Sequence, residues 1–127
     1  MFTEIMHSEI TFSIIIPHKN IPDLLQRCLN SIPYRKNLQV IVVDDNSDSD
    51  IVDFNNFPKW NYPNYNVFFT KEGKGAGYAR NIGLRYAIGK WILFVDADDY
   101  VLPSIDTIFN EYILSDADII YFNPISV

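Results

Sequence analysis

Asp96, Asp98 and Asp99 crowd three carboxylates directly behind the apolar run Trp91 to Val95. Carboxylates this close repel one another, so they either take up protons at a raised pKa or surround a hard cation. The apolar run ahead of them reads as a buried strand, which would present the acids at its tip. Asp44 and Asp45 repeat the arrangement behind Gln39 to Val43. Two acidic strand tips point to a metal-assisted phosphate site, because aspartates and a diphosphate coexist only with a cation between them. Oxygen-only donors suit Mg²⁺ or Mn²⁺ rather than zinc.

A cationic stretch precedes the second tip. Between residues 71 and 90 stand Lys71, Lys74, Arg80, Arg85 and Lys90 against the single acid Glu72, and no Lys or Arg follows Lys90. Such a run reads either as a solvated helix face or as groups gathered towards an anion. Within it, Lys71-Glu-Gly-Lys-Gly-Ala-Gly77 is a glycine-rich loop of the kind that brings backbone close to phosphates.

The elements that must position these groups alternate between strand and helix. Thr11 to Ile16 is a β-branched strand that Pro17 closes by lacking a donor. From Pro22 to Ile32 the residues Leu24, Leu25, Cys28, Leu29 and Ile32 recur at helical spacing, with Asn20 as the cap. Gln39 to Val43 is the second strand. A short helix from Ile51 to about Phe57 and a loop from Asn55 to Asn66 lead to a third strand, Val67 to Thr70. A helix follows from about Tyr78 to Ile88, packing through Ala79, Ile82, Leu84 and Tyr86, with Gly89 ending it. Trp91 to Val95, a helix from Pro103 to Leu114 and a last strand from Asp118 to Asn123 complete the order. This alternation predicts an α/β fold, a mostly parallel sheet with right-handed crossovers and helices on both faces. In such sheets ligands sit beyond the carboxyl ends of the strands. Pro17-His-Lys-Asn20, Asp44-Asp45, the glycine-rich loop and Asp96 to Asp99 all follow strands, so all converge there.

Composition narrows the function classes. The 127 residues suit one domain, residues 11–127, behind a short extension of residues 1–10. A formal charge of −6 disfavours a nucleic-acid partner, which calls for a basic face. Cys28 is the only cysteine, which excludes an internal disulfide and suggests a cytoplasmic protein. Glu4 and Glu9 interrupt the start where an export signal would be basic and then apolar, and no apolar run reaches the roughly 20 residues that span a bilayer.

Phe12-Ser-Ile-Ile-Ile-Pro-His-Lys-Asn20, Val40-Ile-Val-Val-Asp-Asp-Asn-Ser47, Gly77-Tyr-Ala-Arg-Asn-Ile-Gly-Leu84 and Gly89-Lys-Trp-Ile-Leu-Phe-Val-Asp-Ala-Asp-Asp99 together resemble family 2 glycosyltransferases over about residues 12 to 123. The resemblance implies the GT-A fold, a three-layer, Rossmann-like nucleotide-diphospho-sugar transferase, here truncated before the acceptor half. It implies that Asp45 contacts the base, UDP-sugar being the default donor, and that Pro17, His18, Lys19 and Asn20 line the base and ribose pocket. Lys74 and Arg80 join the nucleotide contacts. Asp96-Ala97-Asp98 corresponds to the family's Asp-x-Asp signature, with Asp98 on a divalent metal and Asp96 on ribose or metal water. His18 and Lys19 replace an aromatic that is common before Asn20, which leaves the base preference open. The implied reaction is inverting sugar transfer to a saccharide or glycolipid hydroxyl, with the catalytic base expected beyond Val127. It also implies polysaccharide assembly, with the chain peripheral to the inner face of a membrane. An exposed apolar edge would favour self-association.

Other readings compete at the level of sequence. Asp44-Asp45 could cap the next helix through Asp45 or Ser47, and the acids before Pro103 could form a solvated turn. His7 and His18 lack a second histidine at ligand spacing. A receiver-type signalling domain would carry a lysine at a later strand tip, and none follows Lys90. A haloacid-dehalogenase-like phosphatase would place Thr or Val after its Asp-x-Asp, where this chain has Asp99 and Tyr100. A nucleotidyltransferase would show a glycine- and arginine-rich loop after the first strand. A non-catalytic nucleotide-sugar binding module stays open beside the enzyme.

Overall fold

The structure is a computed structural model, described for residues 10–119. Four strands, β1 (Phe12–His18), β2 (Leu38–Asp45), β3 (Tyr65–Thr70) and β4 (Trp91–Phe94), form one parallel sheet in the order β3-β2-β1-β4. The helices are α1 (Pro22–Ser31), α2 (Ala76–Tyr86) and α3 (Ile105–Tyr112). β1 and β2 are buried at every residue, as expected of central strands covered on both faces. Alternation divides their side chains between the two layers. Phe12, Ile14 and Ile16 join Leu38, Val40 and Val42 under Leu25, Cys28 and Leu29 of α1 and Ile105 and Phe109 of α3. Ile15, Ile41 and Val43 face the other way, against Ala79 and Ile82 of α2. The three-layer α/β/α expectation holds.

Several element boundaries differ from the sequence reading, each for a physical reason. Pro17 lies inside β1 rather than closing it. The carbonyl of Ile15 accepts from Val95 N at 3.1 Å, so the period of two turns Pro17 towards β4 as well. Pairing with β4 has already stopped there, at Ile15 opposite Phe94, whereas pairing with β2 runs on to His18 opposite Asp44. The residue without a donor thus stands where no ladder bond is required, and β1 and β4 part at their carboxyl ends. Asn20 is not the cap of α1; it adopts φ 59° and the N-cap position is Ile21. Ile51 to Phe57 holds only a 3-10 turn, Phe54–Asn56. β3 begins earlier than expected, at Tyr65, because Tyr65 pairs with Val40. α2 runs from Ala76 to Tyr86 and ends before Gly89. Gly89 serves a close approach instead: a Cβ there would lie 2.7 Å from Phe12 C, Ser13 N and Ser13 Oγ. The fourth helix-like segment begins at Ile105, inside the expected span. The strand expected over Asp118 to Asn123 falls largely outside the described residues.

A buried polar network locks the carboxyl ends of β1 and β2 together. His18 Nδ1 lies 2.8 Å from Asp44 Oδ1, and His18 Nε2 accepts from Ile21 N at 3.1 Å. The second bond leaves the proton on Nδ1, which therefore donates to Asp44. Asp44 also accepts from Ser47 Oγ at 2.6 Å and Ser47 N at 3.1 Å. Ser47 Oγ accepts from Asn20 N at 2.9 Å, and Asn20 Oδ1 accepts from Asp48 N at 2.7 Å. Burial pushes the Asp44 carboxyl up, but the hydrogen bonds from His18 and Ser47 outweigh it and hold the carboxyl below its usual range.

Gly89→Ala should destabilise the chain by about 1–3 kcal/mol, since backbone rather than a flexible side chain occupies the space; a denaturation midpoint equal to wild type would contradict the close approach. A lowered carboxyl pKa contributes stability that is present above the ordinary carboxylate range, about pH 4, and disappears as pH falls through the folded-state value. Asp44→Asn should therefore be less stable than wild type near neutrality and lose less stability on acidification, as read from urea midpoints across pH. Parallel acid profiles in the two proteins would show that Asp44 carries no such linkage.

Candidate functional site

Because every strand runs the same way, His18, Asp45, Thr70 and the segment after Phe94 meet at one rim of the sheet. β2 and β3 build outwards from one side of β1 and β4 from the other, so the strand order reverses between β1 and β4. That reversal opens a crevice at the carboxyl rim, and Pro17 stands where the two strands part. Asp45 and Asp96 thus share a rim, as the sequence reading requires.

Asp45 is 3% exposed and points to the glycine-rich loop. It accepts from Gly75 N at 2.6 Å and Lys74 N at 3.3 Å. Gly75 can turn its N–H inwards because it adopts φ 95°, a conformation that side chains resist. The loop also lies against the turn after β1: a Cβ on Gly73 would sit 3.5 Å from Asn46 Nδ2 and 3.8 Å from Lys19 Nζ. Lys74 contributes its backbone to Asp45, while its ammonium pairs with Glu72 at 2.9 Å and lies 4.9 Å from the Tyr78 ring centre. Hydrogen bonds from Lys74 and Tyr78 hold the Glu72 carboxyl low, and the Glu72 hydrogen bond raises Lys74. All of this is at the surface, so it organises the loop more than it stabilises the fold.

Asp96, Asp98 and Asp99 are exposed, and one carboxylate oxygen from each lies within 4.8 Å of the others. The backbone turns tightly here, with Asp99 N donating to Asp96 O at 3.0 Å. Ala97 is buried between the acids and packs into the core, which directs Asp96 and Asp98 outwards. Arg80 on α2 donates from Nη2 to Asp96 Oδ1 at 2.9 Å, joining the cationic stretch to the acid cluster. Beneath lies Cys28, whose thiol is pushed up to about 12 by burial and then by the charges of Asp99, Asp98 and Asp96, against an opposing effect of Arg27. The thiol is protonated and packs as a small apolar group. The three carboxylates form an all-oxygen donor set of suitable size for a hard divalent cation.

The site residues named from sequence fall into three groups. Asp45, Lys74, Lys19 and Asn20 gather on the β1–β2–β3 side, and Arg80, Asp96, Ala97 and Asp98 on the β4 side. Pro17 and His18 sit behind the rim, with both ring nitrogens of His18 bonded within the chain. Sequence reasoning named Ser47 only as a possible helix cap, whereas it links Asp44 to Asn20, and it missed Arg27 and Ser31, which bond the backbone after β4 from α1. Serine in Asn46-Ser-Asp48 signals turn chemistry, but nothing in a helical pattern marks the two α1 residues. A cavity of about 310 Å³ lies elsewhere, along β4 and α3, lined by Phe12, Trp91, Leu93, Ile108 and Phe109. Its lining is mainly apolar, with Lys90, Tyr112 and Asp118 beside those residues, and it includes none of the site residues named from sequence.

The glycosyl transferase family 2 profile matches residues 13–127. Among curated proteins, the chain is 32% identical over 121 residues to the uncharacterized glycosyltransferase YibD of Escherichia coli, covering 93% of this chain and 35% of that protein. It thus spans about a third of that relative's length. Among solved structures, S. aureus TarS 1-349 in complex with UDP-GlcNAc superposes with a TM-score of 0.68 at 31% identity, over 82% of this chain and 31% of that one. The mannosyltransferase PcManGT from Pyrobaculum calidifontis, in complex with GDP-Man and Mn²⁺, gives 0.65 at 26% identity, over 84% and 32%. No helix among the described residues is long and apolar enough to cross a membrane. With its sheet order, its acidic rim and a profile match over nearly all of its length, the chain belongs to glycosyl transferase family 2.

Proposed function

We propose that residues 11–127 bind the nucleotide-diphospho-sugar donor of a metal-assisted, inverting glycosyl transfer to a saccharide or glycolipid hydroxyl. One observation carries this reading: Asp45 and the Asp96, Asp98 and Asp99 cluster end at the same rim, on either side of the β1–β4 opening. A nucleotide laid across that rim has its base towards Asp45, Lys19 and Asn20 and its diphosphate towards Asp96 and Asp98. TarS with UDP-GlcNAc and PcManGT with GDP-Man and Mn²⁺ support a donor of this class and a divalent ion.

Asp98 and Asp96, with Asp99 beside them, would hold Mg²⁺ or Mn²⁺, which supplies neutralisation of the negative charge that grows on the departing diphosphate. The remaining work belongs to the chain itself. Arg80 holds Asp96 by one carboxylate oxygen, and its charge would favour the phosphates of the donor. The Lys74–Gly75 backbone fixes the Asp45 carboxylate, so its free lone pairs keep one direction for a base N–H. The buried His18–Asp44–Ser47 network holds the turn carrying Lys19 and Asn20 rigid beneath the ribose. Uridine is the default base, and polysaccharide assembly is the setting we assign to the transfer.

UDP should bind in calorimetry with Mn²⁺ and show no measurable heat in chelator, and Asp98→Ala should lose affinity by about tenfold or more, as expected for removal of a charged ligand. Equal binding in chelator would refute the metal site. Across UDP, GDP and CDP, Asp45→Ala should reduce the preferred nucleotide about tenfold more than the others, one charge-assisted hydrogen bond being involved. A uniform loss would make Asp45 a loop anchor only.

A further inference from the structure

We propose that Arg27 is a positioning residue for the metal-holding turn, gripping it from below while leaving its carboxylates free; this rests on the donor-site reading above. Arg27 Nη2 donates to the backbone carbonyl of Asp98 at 2.8 Å, and its guanidinium lies 5.2 Å from the centre of the Tyr100 ring. One helical turn later on α1, Ser31 Oγ accepts from Val101 N at 2.8 Å. The same hydroxyl donates to Cys28 O at 2.5 Å, so its lone pair is directed to the turn. Two residues spaced four apart on one helix thus hold both sides of the segment 98–101 by its backbone.

The choice of backbone matters. Three carboxylates with oxygens within 4.8 Å repel one another, and a nearby positive charge lowers that repulsion. Arg80 answers that repulsion by occupying Asp96 Oδ1, an oxygen that a cation would also seek. Arg27 answers it differently. Among the described residues it forms no ion pair with a carboxylate, yet its positive charge sits at the Asp98 carbonyl, on the same turn as the cluster. It lowers the repulsion without competing for ligand oxygens. α1 can bear the load because Leu25, Cys28 and Leu29 are fully buried in the core.

The test is Mn²⁺ affinity of the full chain with saturating UDP, read from the electron paramagnetic resonance of free Mn²⁺. Arg27→Ala and Arg27→Gln should each weaken Mn²⁺ about tenfold, the scale of one charged hydrogen bond, and Arg27→Lys should recover most of the loss. Thermal unfolding without metal checks folding; Arg27 is exposed, so the variants should melt close to wild type. Wild-type Mn²⁺ affinity in either the Ala or the Gln variant, with Asp98→Ala still defective, would overturn the role of Arg27 alone. A wild-type chain that binds no Mn²⁺ would overturn the donor-site reading and this inference with it.

Discussion

Like charges collected at one rim of a parallel sheet set the terms for everything else in this chain. Parallel strands share a direction, so acids placed behind β2 and β4 must arrive at the same edge. Their repulsion is eased at three of the acids, each by a different device. Asp44 is buried and saturated by His18 and Ser47, Asp45 is tied to loop N–H groups, and Asp96 is paired with Arg80. Of these rim acids, Asp98 and Asp99 keep carboxylates with no partner among the described residues, and these face solvent at the opening.

The opening set by the strand order is matched by one residue type. Pro17 has no N–H, and it stands on the side of β1 that faces β4, two residues past the last pair. The sheet therefore loses no ladder bond there, and the two strands separate towards their carboxyl ends. On the other side β1 remains paired with β2 as far as His18. A rigid wall and a parted one stand side by side, which suits a ligand that needs fixed contacts at one end and charge neutralisation at the other.

Much of this was legible beforehand because burial imposes strong patterns. The strand cores, the parallel alternation and the placement of Asp45 and Asp98 followed from apolar runs that end in acids. Boundaries were harder, since caps depend on tertiary partners. Asn20 has the composition of a helix cap, yet its carboxamide bonds Asp48, and Gly89 resembles a helix stop while its real constraint is contact with the backbone of β1. The distinct fates of Asp44 and Asp45 were likewise hidden, because adjacent residues on a strand face opposite layers and only the fold shows what each layer holds. Arg27 and Ser31 could not be read at all, for their partners lie some 70 residues away and are backbone atoms that every residue possesses.

Paramagnetic broadening of backbone amide resonances by Mn²⁺ in the presence of UDP tests the central claim most directly. A cation shared by the acids and the nucleotide predicts strongest broadening at Asp96 to Asp99, with a weaker effect at Lys19, Asn20 and Gly75 across the crevice. Broadening centred away from the carboxyl rim, or spread evenly over the surface acids, would contradict it.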